Sequence, residues 1–490
     1  MAVNSDGAQG VTEGATAAHL GRRSLGVADI VFFVVAASAP LTVVAGGVPT
    51  SFAVTNLLGI PLVYVIIAAI LLVFAVGYAA MSRHVANSGA FYTYVSKGLG
   101  QAWGVAAALV ALVAYNAMQV GIFGLYGFAA SAALEQFLGL HVAWWISALV
   151  TVAIIAILGQ LQVDLNARVL ALFLILESLV VLVFDIAGIA KPAEGLTIEP
   201  FLPAALSGGA LGAALCFVTA SFVGFESAAI YGEECKNPQR TVARATYTAV
   251  IIIGVFYAAS AWATVMAVGK SQIISRSQEL TAGLLFVYAE QNVGKWFADI
   301  ATVLFVTSLF AALLSFHNAV ARYFFSLGRE GVLPSPLARV NAKGAPMAGS
   351  LAQTAIAVVL IGVFAILGKD PVLSLFAWLT NVGALGVIFL MALTSVAVFV
   401  YLRRHSDVTE ATLSHEAAAV VSSIALFVVF VLALTNFDAL LGSTPDDPLR
   451  WILPGLIVAA AVIGLVYGLV LKRTRPDVYA MVGRGGDDSA

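Results

Sequence analysis

Twelve runs of about 20 mainly apolar residues, the length a helix needs to cross a bilayer, decide what this chain can become. They lie near 27–53, 60–81, 101–131, 143–159, 167–190, 209–232, 246–269, 297–325, 348–368, 372–402, 416–436 and 451–471. No stretch shows the apolar–polar alternation of a membrane β-barrel strand. The expected fold class is therefore an all-α integral membrane protein with twelve transmembrane helices. Composition points the same way: 61% of residues are apolar and 10% charged, whereas a soluble domain has about 45–50% and about 25%. That balance excludes a soluble enzyme and a disordered chain. A net charge of -2 leaves no basic footprint for nucleic acid. Cys216 and Cys235, 19 residues apart, provide no disulfide framework.

Lys and Arg set the orientation, because cytoplasmic loops collect them. With twelve spans both termini share a side. Eighteen Lys and Arg fall in the segments of that side and six in those of the other. Both termini are expected in the cytoplasm of a cell that carries the protein in its inner or plasma membrane. The expected organisation is a disordered tail over 1–24, a ten-helix core over 25–405, two further transmembrane helices over 406–473 and a second polar tail, also disordered, over 474–490. Residues 1–20 have no apolar core ahead of a cleavage site and do not read as a signal peptide.

No span carries regularly spaced arginines, so a voltage sensor is disfavoured. No G-x-x-x-x-G-K-[ST] loop occurs to drive an ATP-powered pump. A secondary transporter is the leading class, with no cofactor, no metal and no nucleic acid expected. A channel is the rival, and a nutrient-sensing receptor without net transport is the third class.

Two spans are interrupted. The first reads VVAASAPLTVVAGGVPTS over 34–51, with Pro40 in its middle and Gly46, Gly47 and Pro49 behind it. Proline removes an amide donor and clashes with the preceding turn. The sixth reads ALCFVTASFVGFESAAIYGEE over 214–234, with Thr219, Ser221 and Gly224 followed by Glu226. Spans one and six occupy matching places if the chain holds two repeats of five helices. Matched interruptions point to a transporter's binding site, where freed amides and carbonyls meet the charged ends of a substrate.

Three connecting segments then carry a family resemblance. EECKNPQRTVARA at 233–245 resembles the E-E-x-K-N-P-x-R-x-I-P-R-A signature after helix six of the amino acid–polyamine–organocation superfamily. RYFFSLGREGVLPSPLARVNAKGAP at 322–346 resembles its segment after helix eight, and RHVANSGAFYTYVSKGLG at 83–100 its segment after helix two. The resemblance covers about 25–405, two further helices being usual in the family. It implies the LeuT-type fold, a 5+5 inverted repeat with helices one and six broken. Ala86, Ala90 and Ala243 depart from the pattern, and Ser38-Ala39-Pro40 replaces the glycine-rich turn of many members. Some amine and polyamine importers of the superfamily carry a proline there, so such an importer stands as the alternative.

The substrate site is accordingly expected between helices one, three, six and eight. Its candidate residues are Ser38, Ala39, Pro40, Leu41, Thr42, Tyr115, Ala220, Ser221, Phe222 and Gly224. Tyr115 and Gln119 share a helix face; Asn116 and Gln119 either line the pocket or join helices. Phe222 and Phe225 flank the sixth-helix break as candidate covers.

Carboxylates inside a membrane are functional candidates by default. Glu226 follows the sixth-helix break, and the family often has an acidic residue in this G-F-E/D motif. Glu177 stands alone in the apolar run LFLILESLVVL; several proton-coupled or exchange members have a lysine in this region. Both are read as proton-coupling groups. Asp29 and Asp185 lie nearer helix ends and are read as interfacial, and His317 as a packing histidine. Thr307, Ser308 and Ser315 offer hydroxyls for sodium, but such groups commonly bond their own helix, so a proton is preferred. The expected function is movement of a small amino acid or amine by alternating access, as a proton-coupled carrier or an exchanger. The only buried charges placed near the breaks are acidic, which favours a cargo with an amino group over a pure anion.

Overall fold

The computed structural model describes residues 26–85, 90–161, 167–226, 238–342, 344–405, 413–444 and 446–484. Among these, every regular element is helical. The first apolar run is divided into α1 (Val27–Ala37) and α2 (Val48–Thr55), joined by a widened turn over Thr42–Gly47. Then come α3 (Ile60–Ser82), the short α4 (Ala90–Leu99), α5 (Gln101–Leu138), α6 (Trp144–Gln160), α7 (Ala167–Ala190) and α8 (Leu211–Ala220). The rest of the chain forms α9 (Pro238–Val268), α10 (Ile273–Leu280), α11 (Leu284–Asn292), α12 (Lys295–Arg329), α13 (Met347–Ile366), α14 (Ala377–Arg404), α15 (Leu413–Thr435), α16 (Phe437–Leu441), α17 (Leu449–Thr474) and α18 (Pro476–Met481).

Nine helices among the described residues are long and apolar enough to cross a membrane. Three shorter apolar helices, Thr42–Thr55, Trp144–Gln160 and Leu211–Ala220, fall in the first, fourth and sixth of the expected runs. The first and sixth are short because their runs are broken. The 17 residues of α6 reach about 26 Å at about 1.5 Å per residue, near the lower limit for a span. Outward faces carry large bare apolar side chains, among them Ile157, Ile186, Ile424 and Ile463, each at least 60% exposed. In water such a surface would drive association; against lipid tails it is matched.

Helix contacts in a bilayer gain little from the hydrophobic effect and depend on close packing by small residues. The central α5 shows this on two sides. A Cβ on Gly383 of α14 would lie 2.7 Å from the Ala114 carbonyl oxygen of α5, and one on Gly121 of α5 would lie 2.9 Å from the Thr380 amide nitrogen. On the other side a Cβ on Gly464 of α17 would come within 2.6 Å of Ala106 Cα. The connection after α7 is clamped to the one after α9: Lys270 pairs with Glu199, and the Ser271 hydroxyl and amide donate to Glu194. Those bonds to Ser271 hold the exposed Glu194 carboxyl below its ordinary value.

The C-terminal segment departs from expectation. Instead of a disordered tail from 474, the chain turns at Arg475, forms α18 and buries Val482 at 2% exposure. Proline at the first helical position starts α18 without losing a needed amide bond. The expected tail over 1–24 lies outside the described residues, as do 485–490.

Because backbone blocks any added side chain at Gly383, we expect Gly383→Val to lower stability by about 1–3 kcal/mol, the usual cost of overpacking. A lower melting temperature in detergent checks this; an unchanged one removes α5–α14 contact as a determinant of stability.

Candidate functional site

The two interrupted runs meet in the middle of the bundle. In the first, α1 stops at Ala37, and Ala39 takes a left-handed conformation with φ of 46°. The chain re-enters helical geometry at Pro40 and Leu41 and then widens over Thr42–Gly47. In the sixth, α8 stops at Ala220 and turns run from Ser221 to Glu226, with Gly224 at φ 114°. Glu226 thus sits within the turn itself, not on a helix beyond it. The segments face each other: a Cβ on Gly47 would lie 3.9 Å from Ser221 Oγ.

Each break is held by a buried carboxylate. Glu177 of α7 accepts from the Ser308 hydroxyl of α12 at 2.8 Å and lies beside the Leu41 amide. Ser308 also meets the Thr42 hydroxyl at 3.1 Å. Two hydroxyls and one carboxylate therefore form a connected group across α7, α12 and the first run, with the Leu41 amide beside it. Glu226 accepts from the Gly224 amide at 2.8 Å and from the Tyr115 hydroxyl of α5 at 2.8 Å. The logic is shared: a broken helix in a membrane must have its backbone groups bonded again by neighbours.

A pair of tyrosines ties the breaks together. Tyr257 of α9 donates to Ser38, 3.1 Å from its carbonyl oxygen and 2.9 Å from its Oγ. Tyr64 of α3 lies 3.0 Å from Ser221 Oγ. Their rings meet edge to face with centroids 5.8 Å apart, and Phe222 packs against both. Phe225 instead stands edge-on to Phe74 of α3. Both phenylalanines are buried, at 0% and 1% exposure.

The expected site residues are therefore brought together: Ser38, Ala39, Pro40, Leu41 and Thr42 at one break, Ala220, Ser221, Phe222, Gly224 and Glu226 at the other. Tyr115 bridges from α5 and Glu177 from α7. Other candidates go elsewhere. Asn116 donates to Leu112 of its own helix, and Gln119 reaches the Leu313 carbonyl of α12 at 3.4 Å. Thr307 bonds the Leu304 carbonyl and Ser315 is exposed, so of the three hydroxyls weighed for sodium only Ser308 faces the site. His317 is 2.8 Å from Ser350 of α13, a packing role. Asp185, read as interfacial, is instead 7% exposed and accepts from Ser260 of α9 at 2.6 Å. Of the segment 233–245, residues up to 237 lie outside the described residues, and so does Cys235. Tyr64, Tyr257 and Tyr78, whose hydroxyl donates to the Glu226 carbonyl at 3.4 Å, carry no sequence signal of their own; each looks like apolar filler until its hydroxyl is asked for a partner.

Among the described residues the buried carboxylates are Glu177, Asp185, Glu226 and Glu330, the buried histidine is His317, and no Lys or Arg is buried. The site is acidic and aromatic.

A family model for amino acid permeases matches residues 25–463. The chain belongs to that family, within the amino acid–polyamine–organocation superfamily. Over 428 residues the permease is 26% identical to the branched-chain amino acid permease BcaP of Bacillus subtilis, covering 83% of this chain and 86% of that protein. It is also 26% identical to BcaP of Lactococcus lactis over 365 residues, covering 69% and 73%. A shorter match, 26% over 148 residues and 30% of this chain, relates it to the putrescine transporter PotE of Haemophilus influenzae, of which it covers 33%. These relatives are transporters, not enzymes. With its apolar helices, the permease is an integral membrane protein.

Ala39 is an L-residue held in left-handed geometry, which costs about 1–2 kcal/mol. Glycine adopts it freely, so Ala39→Gly should stabilise the permease by about 1 kcal/mol net of chain entropy. A rise in melting temperature checks this, and a fall would mean that the Ala39 methyl packs for more than its strain.

Proposed function

We propose that the permease is a secondary active transporter that carries a small amino acid or amine through the space between the two breaks by alternating access. The observation that carries this reading is the matched pair of broken helices, each bonded to its own buried carboxylate. A channel would not need both breaks closed over by Phe222, Tyr64 and Tyr257. On this reading the chain makes twelve spans, both termini are cytoplasmic, and the core is a LeuT-type inverted repeat with two helices added.

The chemistry of the cargo follows from the site's charge. Glu226 and Glu177 favour an ammonium group, and among the described residues no buried Lys or Arg is present to balance a second negative charge. A carboxylate has fewer amides to meet than a turn of glycines would offer, since Pro40 has none and the Leu41 amide lies beside the Glu177 carboxylate. The relatives with the longest shared length among those named are branched-chain amino acid permeases, so a neutral, apolar amino acid is the first cargo. An amine such as a polyamine is the second reading, favoured by the acidic site and the shorter match to a putrescine transporter.

Glu177 is proposed to exchange a proton during the cycle. It is bonded to Ser308 of α12, and through that hydroxyl it is linked to Thr42 of the first break. Neutralising it would loosen the charge-assisted bond that fixes Ser308 and, through it, Thr42. Proton coupling is favoured over sodium because Ser308, the one hydroxyl of those weighed that faces the site, is already bonded to the carboxylate.

Reconstituted protein should show saturable uptake of leucine, valine or a diamine, not competed by succinate. Thr42→Trp and Ala220→Trp should abolish it with the melting curve intact; normal uptake in both variants would place the cargo elsewhere. Glu177→Gln should still bind cargo but lose the stimulation by an inward proton gradient. If that variant retains full gradient-driven accumulation, the carboxylate is structural.

A further inference from the structure

The C-terminal segment does not trail away from the bundle. Beyond α17 the chain crosses to the end of α12 and the short helix α4. Val478 lies against Gly331, whose added Cβ would be 3.3 Å from both Val478 methyls. Val482 is buried. Gly483, at φ 76°, sits so close to α4 that a Cβ there would fall 2.7 Å from Ser96 Cβ and Oγ. Its amide reaches Glu330 Oε2 at 3.4 Å. The other oxygen of Glu330 accepts from the Tyr92 hydroxyl of α4 at 3.0 Å. Tyr467 of α17 bonds the Val332 carbonyl at 2.9 Å and fixes the same corner.

That corner is one end of an aromatic stack whose other end is the transport site. Tyr92 meets Tyr323 of α12 with ring centroids 6.0 Å apart, and Tyr323 meets Tyr115 at 5.7 Å. Tyr115 donates to Glu226. Tyr78, whose hydroxyl donates to the Glu226 carbonyl at 3.4 Å, packs against Tyr94 with centroids 4.9 Å apart. Three rings thus separate a carboxylate in the site from a carboxylate beneath the tail. The Tyr323 hydroxyl is buried without a hydrogen-bond partner, so the stack is tightly closed but not fully bonded. A buried group left unsatisfied makes the closed arrangement easier to leave.

We propose that residues 476–484 are a latch. Seated on α4 and Glu330, they hold the stack Tyr92–Tyr323–Tyr115 closed, and they lift before the path from the site to that end opens. The seat suits this task. It includes a buried valine, a glycine that admits no side chain and a long amide bond to Glu330. On the transporter reading given above, which this inference rests on, that end faces the cytoplasm. The latch therefore regulates release or entry on the cytoplasmic side.

The test reads opening directly and without substrate. In a Cys216→Ala, Cys235→Ala background, a reporter Ala220→Cys is placed in the site. A membrane-impermeant thiol reagent is applied to the C-terminal side of sealed, oriented vesicles. Two changes release the tail: Gly483→Val in the full chain, and a stop after Arg475. Each should speed labelling of the reporter about fivefold, the equivalent of one net hydrogen bond. Labelling at the parent rate in both, with parent-like melting, overturns the proposal. So does a shortened chain that fails to fold, since a segment needed for assembly is an anchor and not a latch. Failure of the transporter reading is seen separately, as absence of saturable uptake in the parent protein, which the labelling rate does not measure.

Discussion

Everything at the centre of this molecule follows from the cost of leaving a backbone amide or carbonyl unbonded where no water reaches. A continuous helix meets that demand alone. A broken one cannot, and each break therefore needs other partners. Glu177 bonds Ser308, which meets Thr42; Tyr257 bonds the Ser38 carbonyl; Tyr64 meets Ser221; and Glu226, which takes the Gly224 amide within its own turn, is bonded by Tyr115. These bonds tie α3, α5, α7, α9 and α12 to the breaks. They also place two carboxylates in the membrane interior, where an acidic group has few other reasons to be.

Much of this was legible in sequence because the signals are local. Pro40, Gly46, Gly47 and Pro49 interrupt an apolar run, and each lone glutamate stands among residues that cannot solvate it. The first break was therefore placed well, although its turning point is Ala39. A left-handed alanine leaves no mark in a sequence, since only the folded chain shows the conformation. The second break was fainter, with Gly224 as its one backbone signal, and Glu226 fell inside the turn.

What sequence could not show was pairing at long range. Tyr64 and Tyr257 sit in apolar helices and read as core until folding brings their hydroxyls to Ser221 and Ser38. Asp185 is near a helix end in sequence, yet α9 covers it with Ser260. The C-terminal helix is six residues long between polar neighbours, too short for any periodic pattern. Its position depends on the corner formed by α4, α12 and α17, none of which is adjacent to another in the chain.

The length of α5 has a consequence for the surrounding lipid. Its 38 residues extend about 57 Å at about 1.5 Å per residue, against a hydrocarbon layer of about 30 Å. Glycine contacts bind it closely to α14 and α17, so it cannot shorten by kinking without disturbing both. The rod must lean steeply or project into water, and its far end carries the polar, exposed Glu135 and Gln136. Its outer end is bonded to α12 through Gln136 and Asp299. One helix thus runs from an outer bond with α12, past the glycine contacts with α14 and α17, and presents Tyr115 to the space between the breaks. A helix longer than the hydrocarbon layer meets the mismatch by tilting or by bilayer adjustment at modest cost.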